Sequence, residues 1–476
     1  MLFNSLEFAL FLPIVFILYW LVFNQSIKLR NLFIVGVSYL FYGWWDVRFL
    51  LLIGLTTSVS FISGILISRY PVKARWTSAF NILFNIGLLA YFKYSNFFCE
   101  SFVESFRLLG IELSIRPLQI ILPVGISFYT FQALSYTIDV YKKKIEPTRD
   151  IVAFFAYVSF FPQLVAGPIE RATHLLPQFF SKTVFSYPMT VDGMRQILWG
   201  LFKKIVVADN CARWVDTVYS SYPEQSSLTL IITAMLFSIQ IYCDFSGYSD
   251  VAIGTARLFG FNLMRNFNMP YFSRDIAEFW RRWHISLTTM FRDYVYIPLG
   301  GSRGSRRQNV RNTFIVFLLS GLWHGANYTF IFWGIFNAIL FLPLLLLKKN
   351  RRYTSIPAEG KNLPSAGEFI SMLITFILVT IGWIFFRSDS LEQAFNYLSI
   401  ISHFESFDII QKRNLLHLLL IVFVLLSGEW IQRDKEYVLQ VDNLSLWQRY
   451  GIYYFLIFMC FWFSVPEDIP FIYFQF

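Results

Sequence analysis

The sequence predicts an all-α polytopic membrane protein, and three observations carry that expectation. Hydrophobic residues make up 56% of the 476-residue chain and charged residues only 15%, a balance foreign to soluble globular domains. Continuous apolar runs of spanning length recur along the whole chain, and basic residues collect in the short segments between them.

A helix crossing the hydrocarbon core needs about 20 mainly apolar residues. Runs of that kind occupy 6–23, 31–45, 47–68, 77–94, 151–166, 228–243, 369–386, 415–431 and 449–465, and 313–347 is long enough for a helical hairpin. A β-barrel would alternate apolar and polar residues, whereas these runs are unbroken. The first run follows "MLFNSLE", which has no basic segment, and no small-residue cleavage pattern comes after it, so a retained helix is expected. Between 95 and 230 the pattern gives no secure span count. No hydrophilic stretch is long enough to build its own core, so residues 1–476 read as one membrane domain.

The net charge of +10 would point toward nucleic acid in a soluble protein. Here Lys28 and Arg30, Arg69 to Arg75, Lys142 to Arg149, Arg303 to Arg311 and Lys348 to Arg352 all fall in short connections, which the positive-inside rule accounts for without a nucleic-acid partner. Walking the first spans puts the N-terminus outside and 24–30 and 69–75 in the cytoplasm. Cys99, Cys211, Cys243 and Cys460 form no C-x-x-C pair, so neither a disulfide framework nor a zinc site is expected.

Residues 244–312 depart from the pattern, being rich in charge yet flanked by strong spans. A helix is expected over Asp275–Tyr294 with Ser273 as its N-cap and Phe279, Trp283 and Leu287 on one face, while Arg282, Ser286 and Met290 lie elsewhere. So mixed a helix belongs at the membrane interface or along a polar cavity.

The five histidines, His174, His284, His324, His403 and His417, include no H-x-x-H or H-x-x-x-H box, so no metal cluster is expected. G-x-S-x-G, P-loop and G-x-G-x-x-G signals are also absent. His324 lies in an apolar segment, "SGLWHGANYTF", and is followed by Gly325, Ala326 and Asn327, small neighbours that leave room beside the imidazole. One reading is a hydrogen-bonded histidine packing two helices; the other is an acid–base group inside the membrane. His284, in "FWRRWHISL", has an equally unusual setting, whereas His174, His403 and His417 read as loop or helix-end residues. Asn327 serves either as an oxyanion donor or as a helix cap, and Trp323 would wall the site. In "YCDFSGYSD", Asp244, Ser246, Tyr248 and Asp250 end a span, where Gly247 either permits a ligand-binding break or the polar groups solvate a helix end. The loop "GGSRGSRRQNVRN" either grips cofactor phosphates or marks the cytoplasmic side. Residues 121–141 suit close helix packing, and the prolines with Gly167 in 160–171 point to a re-entrant turn.

With these residues assembled, the sequence resembles the membrane-bound O-acyltransferase family, in particular its alginate O-acetyltransferase-like branch. The resemblance rests on "PVGISFYTFQALSYTIDVY", "FFPQLVAGPIER", "DFSGYSDVAIG", "FWRRWHISLTTMFRDYVYIPLGG", "LSGLWHGANYTFIFWG" and the terminal "PFIYFQF". It implies a ring of roughly ten to twelve spanning helices around a thin central funnel, with re-entrant and interfacial helices. It also implies His324 as the catalytic base and His284 as a second, supporting site. Around them, Asn327, Trp323, Asp244, Ser246, Tyr248, Arg281, Arg282 and Trp283 would contact substrate, and Arg292, Arg303 and Arg306 would meet the donor. Tyr328 stands where similar proteins often carry tryptophan.

The activity that the resemblance implies is O-acetylation of an extracytoplasmic polysaccharide from a cytoplasmic thioester, acetyl-CoA, used as a substrate and not as a tightly bound cofactor. A periplasmic acetyl-accepting partner protein, membrane lipids and a bacterial inner-membrane location belong to the same expectation. The D-alanyl transferase branch looks similar in these motifs. A polytopic transporter or flippase of glycan precursors would share the composition, and its buried histidines would relay protons instead.

Overall fold

Short polar side chains start the apolar helices by accepting the first unpaired backbone N–H groups. Ser5 caps α1 (Leu6–Leu18), which runs on through a π-helical turn, Tyr19–Phe23, and Ser26 caps α2 (Ile27–Gly43). Then come α3 (Arg48–Arg69), α4 (Ala74–Leu108), α5 (Ile126–Tyr141) and α6 (Ile151–Ser159), the last capped by Asp150. Next are α7 (Tyr187–Leu201), a π-helical segment Phe202–Ala208, α8 (Asp209–Ser220) and α9 (Ser227–Leu258). Two seven-residue helices, α10 (Ile276–Arg282) and α11 (Ile285–Phe291), precede α12 (Arg306–His324) and α13 (Tyr328–Leu346). The chain closes with α14 (Ala366–Arg387), α15 (Leu391–His403), α16 (Lys412–Ile431) and α17 (Leu446–Trp462). This computed structural model describes residues 1–113, 120–165, 167–404, 406, 408–410, 412–465 and 469–472, and among them there is no strand.

Among the described residues, six stretches are long and apolar enough to cross a membrane: Leu6–Phe23, α3, α9, α13, α14 and α16. The chain is a polytopic all-α membrane protein. The expected run 151–166 is not a span: α6 stops at Ser159, Phe160 leaves the helical conformation, and a short turn follows at Phe161–Leu164 with Pro162 at its start. Residues 160–165 and 167–170 are buried, while Ala166, part of the expected re-entrant turn, lies outside the described residues, as do 473–476 of the terminal motif. The hairpin expected over 313–347 is present as α12 and α13, joined at Gly325–Asn327.

By its contacts the chain divides into two compact units, Met1–Gly193 with Thr255–Met264, and Met194–Gly254 with Arg265–Phe476. In the first, α3 packs on α5 and α4, and α2 on α6. A fully buried arginine staples it. Arg30 donates to the carbonyls of Ser181 (2.7 Å) and Phe179 (2.9 Å) and to the Asn31 side chain (2.9 and 3.1 Å). Arg30 therefore belongs to the packed interior and not to a free cytoplasmic loop. His174, assigned no chemistry, pairs with Glu170 at 2.7 Å.

In the second unit α12 and α13 approach through glycines. A Cβ on Gly321 would strike the Phe330 carbonyl oxygen, and one on Gly334 would lie 2.5 Å from that of Phe317. Backbone cannot yield as a flexible side chain can. Gly334→Val is therefore expected to cost about 1–3 kcal/mol or more from overpacking, read as a lowered midpoint of thermal unfolding in detergent. An unchanged midpoint would show that the hairpin tolerates separation.

Candidate active site

All the residues of this site belong to the second unit. The helix expected over Asp275–Tyr294 breaks at the residue of interest. Asp275, not Ser273, caps α10 by accepting the Glu278 N–H, Trp283 is extended, and His284 adopts the left-handed region at φ +42° before α11 begins. Such a conformation is uncommon for a residue with a Cβ and persists only when its surroundings enforce it. Here the Asn266 carbonyl accepts the Ile285 N–H at 2.8 Å and the Arg282 carbonyl accepts the Asn268 N–H at 2.9 Å.

The same asparagine holds the imidazole. Asn266 Oδ1 lies 3.0 Å from His284 Nδ1 and accepts from Ser286 Oγ at 2.8 Å and Ser286 N at 3.3 Å, while Asn266 Nδ2 donates to Ser249 Oγ of α9 at 3.0 Å. Asn266 is 0% and His284 1% exposed. His284 Nε2 has no hydrogen-bond partner among the described residues. Burial holds the His284 pKa far below the usual imidazole range, so the ring is neutral and a poor proton store.

His324 is the last residue of α12 and 3% exposed. Aromatic rings surround it: Trp323 at 4.9 Å between centroids, Trp333 of α13 at 5.0 Å and Phe386 of α14 at 5.1 Å. The Trp323 ring also meets His284, at 5.6 Å, so a single indole bridges the two imidazoles. Trp283 joins the cluster through Trp383 at 4.9 Å, and Phe245 of α9 stands edge-on to His284 at 4.6 Å.

Two expectations about the hairpin loop change. The space beside Gly325 is occupied, because a Cβ there would strike the Phe330 ring. The Asn327 amide is spent on structure: its Oδ1 caps α13 by accepting the Thr329 N–H at 3.0 Å, and its Nδ2 donates to the Asp389 carbonyl at 2.9 Å. Of its two readings, the helix cap is the one the structure shows.

The α9 motif differs as well. Gly247 breaks nothing, since α9 continues to Leu258; instead it lets the segment around Gly200 and Lys204 approach, a Cβ at 247 falling 2.8 Å from the Gly200 carbonyl oxygen. Two buried lysines of the π-helical segment, passed over in the sequence, pair with the motif. Lys203 meets Asp250 at 2.5 Å and Ser246 Oγ at 2.9 Å; Lys204 meets Asp244 and Asp209, both at 2.8 Å. Asp244 also accepts the Ile472 N–H at 2.7 Å, and the Tyr248 ring packs on Phe471. A polar cavity of about 20 Å³, lined by Lys203, Ser246, Ser249, Asp250 and Asn266 among others, has room for one water beside this network.

The arginines expected at substrate are engaged elsewhere. Arg282 pairs with Glu278 at 2.9 Å, and Arg281 donates to the carbonyls of Asn350 and Tyr353 at 2.6 Å, holding the basic 348–353 segment. Arg292 pairs with Asp293 at 2.6 Å, and Arg292, Arg303 and Arg306 are exposed. The structure thus brings together His284, Trp323, His324 and Trp283, and adds Asn266, Ser249, Trp333, Trp383 and Phe386. Asn266 had no signal of its own, lying in a linker without helical periodicity. The lysines had one, being cations inside apolar sequence.

The chain is similar to known membrane acyltransferases. Residues 146–382 match the membrane-bound O-acyltransferase family. The probable alginate O-acetylase of Pseudomonas aeruginosa is 40% identical over 399 residues, covering 83% of this chain and 73% of that protein. The peptidoglycan O-acetyltransferase of Helicobacter pylori is 35% identical over 430 residues, covering 84% and 79%. The teichoic acid D-alanyltransferase of Bacillus subtilis is 25% identical over 274 residues, covering 55% and 68%. A transporter is thereby set aside: the chain belongs to the membrane-bound O-acyltransferase family and is a multi-pass membrane acyltransferase.

Proposed function

We propose that this enzyme moves an acetyl group from acetyl-CoA on the cytoplasmic side to hydroxyl groups of an extracytoplasmic polysaccharide, directly or through an acetyl-accepting partner protein, at the inner membrane of a bacterium. The observation that carries the reading is the pair of buried imidazoles bridged by Trp323 in a family of acyltransferases. Acetyl is favoured over D-alanyl because the relatives named for O-acetylation are more similar and match more of the chain than the D-alanyltransferase does.

In this reading His324 takes the proton of the acceptor hydroxyl as its oxygen attacks the thioester carbonyl. The C–O bond forms, the C–S bond breaks, and the proton passes from His324 to the departing sulfur, giving the ester and free thiol. Burial strongly favours the neutral state of His284, which makes it a weak base. That leaves it a supporting role. Asp244, Ser246 and Tyr248 support the site from α9 through their contacts with the lysines and Phe471, and Arg292, Arg303 and Arg306 are exposed enough to meet the donor's phosphates.

Mass spectrometry of cell-envelope glycans tests the proposal. Cells carrying the wild-type chain should show acetyl esters that vanish with His324→Ala. D-alanyl esters in their place would identify the other acyl group, and unchanged glycans would reject the reading.

A further inference from the structure

The two ring nitrogens of a neutral histidine are opposite in character, one a donor and the other an acceptor, and the partner of one decides the role of the other. At His284 that partner can be identified without seeing a hydrogen. The Ser286 backbone N–H can only donate, and it points at one atom of the Asn266 amide from 3.3 Å; that atom must be the oxygen. The other end of the amide then donates to Ser249 Oγ at 3.0 Å, as an NH₂ should. Ser286 Oγ gives its hydrogen to the same oxygen at 2.8 Å and so cannot also give it to His284 Nδ1, which lies 3.4 Å away.

His284 Nδ1 therefore faces an oxygen at 3.0 Å and must carry the ring proton. All four residues are buried, which removes bulk water as a competing partner. What remains is Nε2, a bare lone pair with no partner among the described residues. A buried acceptor left this way loses its hydration for nothing unless a ligand supplies the donor. A thioester has no donor to offer, whereas a hydroxyl does.

Resting on the acyl-transfer reading above, we infer that Asn266 is a positioning residue that locks His284 in its Nδ1–H form, so that His284 Nε2 is a hydrogen-bond acceptor reserved for a second hydroxyl of the acceptor substrate, next to the one that His324 deprotonates. The backbone of Asn266 serves the same end, since its carbonyl pins the Ile285 N–H just after the strained residue. Ser249 ties the arrangement to α9. His284 is thereby assigned to the acceptor side of the reaction and excluded as an oxyanion donor.

Two measurements on the full-length enzyme in lipid test this. Nitrogen-15 spectra of histidine-labelled protein, with His284 identified by the signal lost in His284→Gln, should show a protonated Nδ1 and a bare Nε2; a proton on Nε2 overturns the inference whatever the activity. Kinetics with acetyl-CoA and an alginate oligosaccharide as probes give the second arm. Asn266→Leu, which keeps the volume but removes the acceptor, should lower kcat/KM for the acceptor roughly ten- to a hundredfold and leave the acetyl-CoA KM unchanged. Asn266→Asp, which still accepts from Nδ1–H, should recover most of that loss. An Asn266→Leu enzyme with wild-type acceptor kinetics, or an Asn266→Asp enzyme as impaired as Asn266→Leu, contradicts the inference. If wild-type protein transfers no acetyl group, the proposed function fails, yet the spectra still report the tautomer.

Discussion

Replacing His324 with alanine is expected to lower the kcat for acetyl transfer by about 10²–10⁴, the range that a positioned general base supplies. The prediction needs a control, because His324 is packed by three aromatic rings and its truncation also leaves a cavity. Removing a buried ring of larger size costs about 3–5 kcal/mol, enough to confuse lost chemistry with lost fold. His324→Gln, which fills most of the space without offering an imidazole, separates the two. Both variants should lose thiol release from acetyl-CoA, while His324→Gln stays close to wild type in its thermal midpoint. A His324→Gln enzyme with near-normal turnover would show that the ring is there for packing.

The second large effect concerns stability. Lys204 is buried and 2.8 Å from both Asp209 and Asp244, and its ammonium also donates to the Ile469 carbonyl at 3.2 Å. Removing it as Lys204→Met leaves two carboxylates facing each other in a low-dielectric interior. Breaking a buried ion pair on one side costs about 3–5 kcal/mol, mostly the penalty for the charge left behind. Lys204→Met should therefore lower the thermal midpoint in detergent sharply, and adding Asp244→Asn should restore part of the loss because the two sites share one network. Equal midpoints for wild type and Lys204→Met would mean that the network carries no net stability.

The helices were legible because their signal is continuous apolar sequence, which the bilayer demands and polar caps punctuate. α12 and α13 follow the expected hairpin closely, and His324 lies at its turn. The run through α6 reads as a span because buried and lipid-facing apolar residues look alike in sequence; Pro162, Gly167 and Pro168 are the signs of the turn that interrupts it. The break at His284 was hidden because a positive φ normally announces itself through glycine, and here a histidine adopts it under constraint from Asn266. Arg281, Arg282 and Asn327 carried the right chemistry for a site but are engaged by carbonyls, a carboxylate and a helix end that no spacing rule foresees. Local pattern reveals which groups are costly to bury; only the fold reveals which partner offsets that cost.

In the proposed mechanism His284 and His324 serve one reaction. Residues that act as a unit show losses that do not multiply. Thiol release from acetyl-CoA should therefore be measured for wild type, His284→Gln, His324→Gln and the double variant in the same lipid preparation. The double variant is expected to turn over within a few-fold of the slower single one. Losses that multiply across the cycle, or a double variant that still turns over like wild type, would contradict that mechanism.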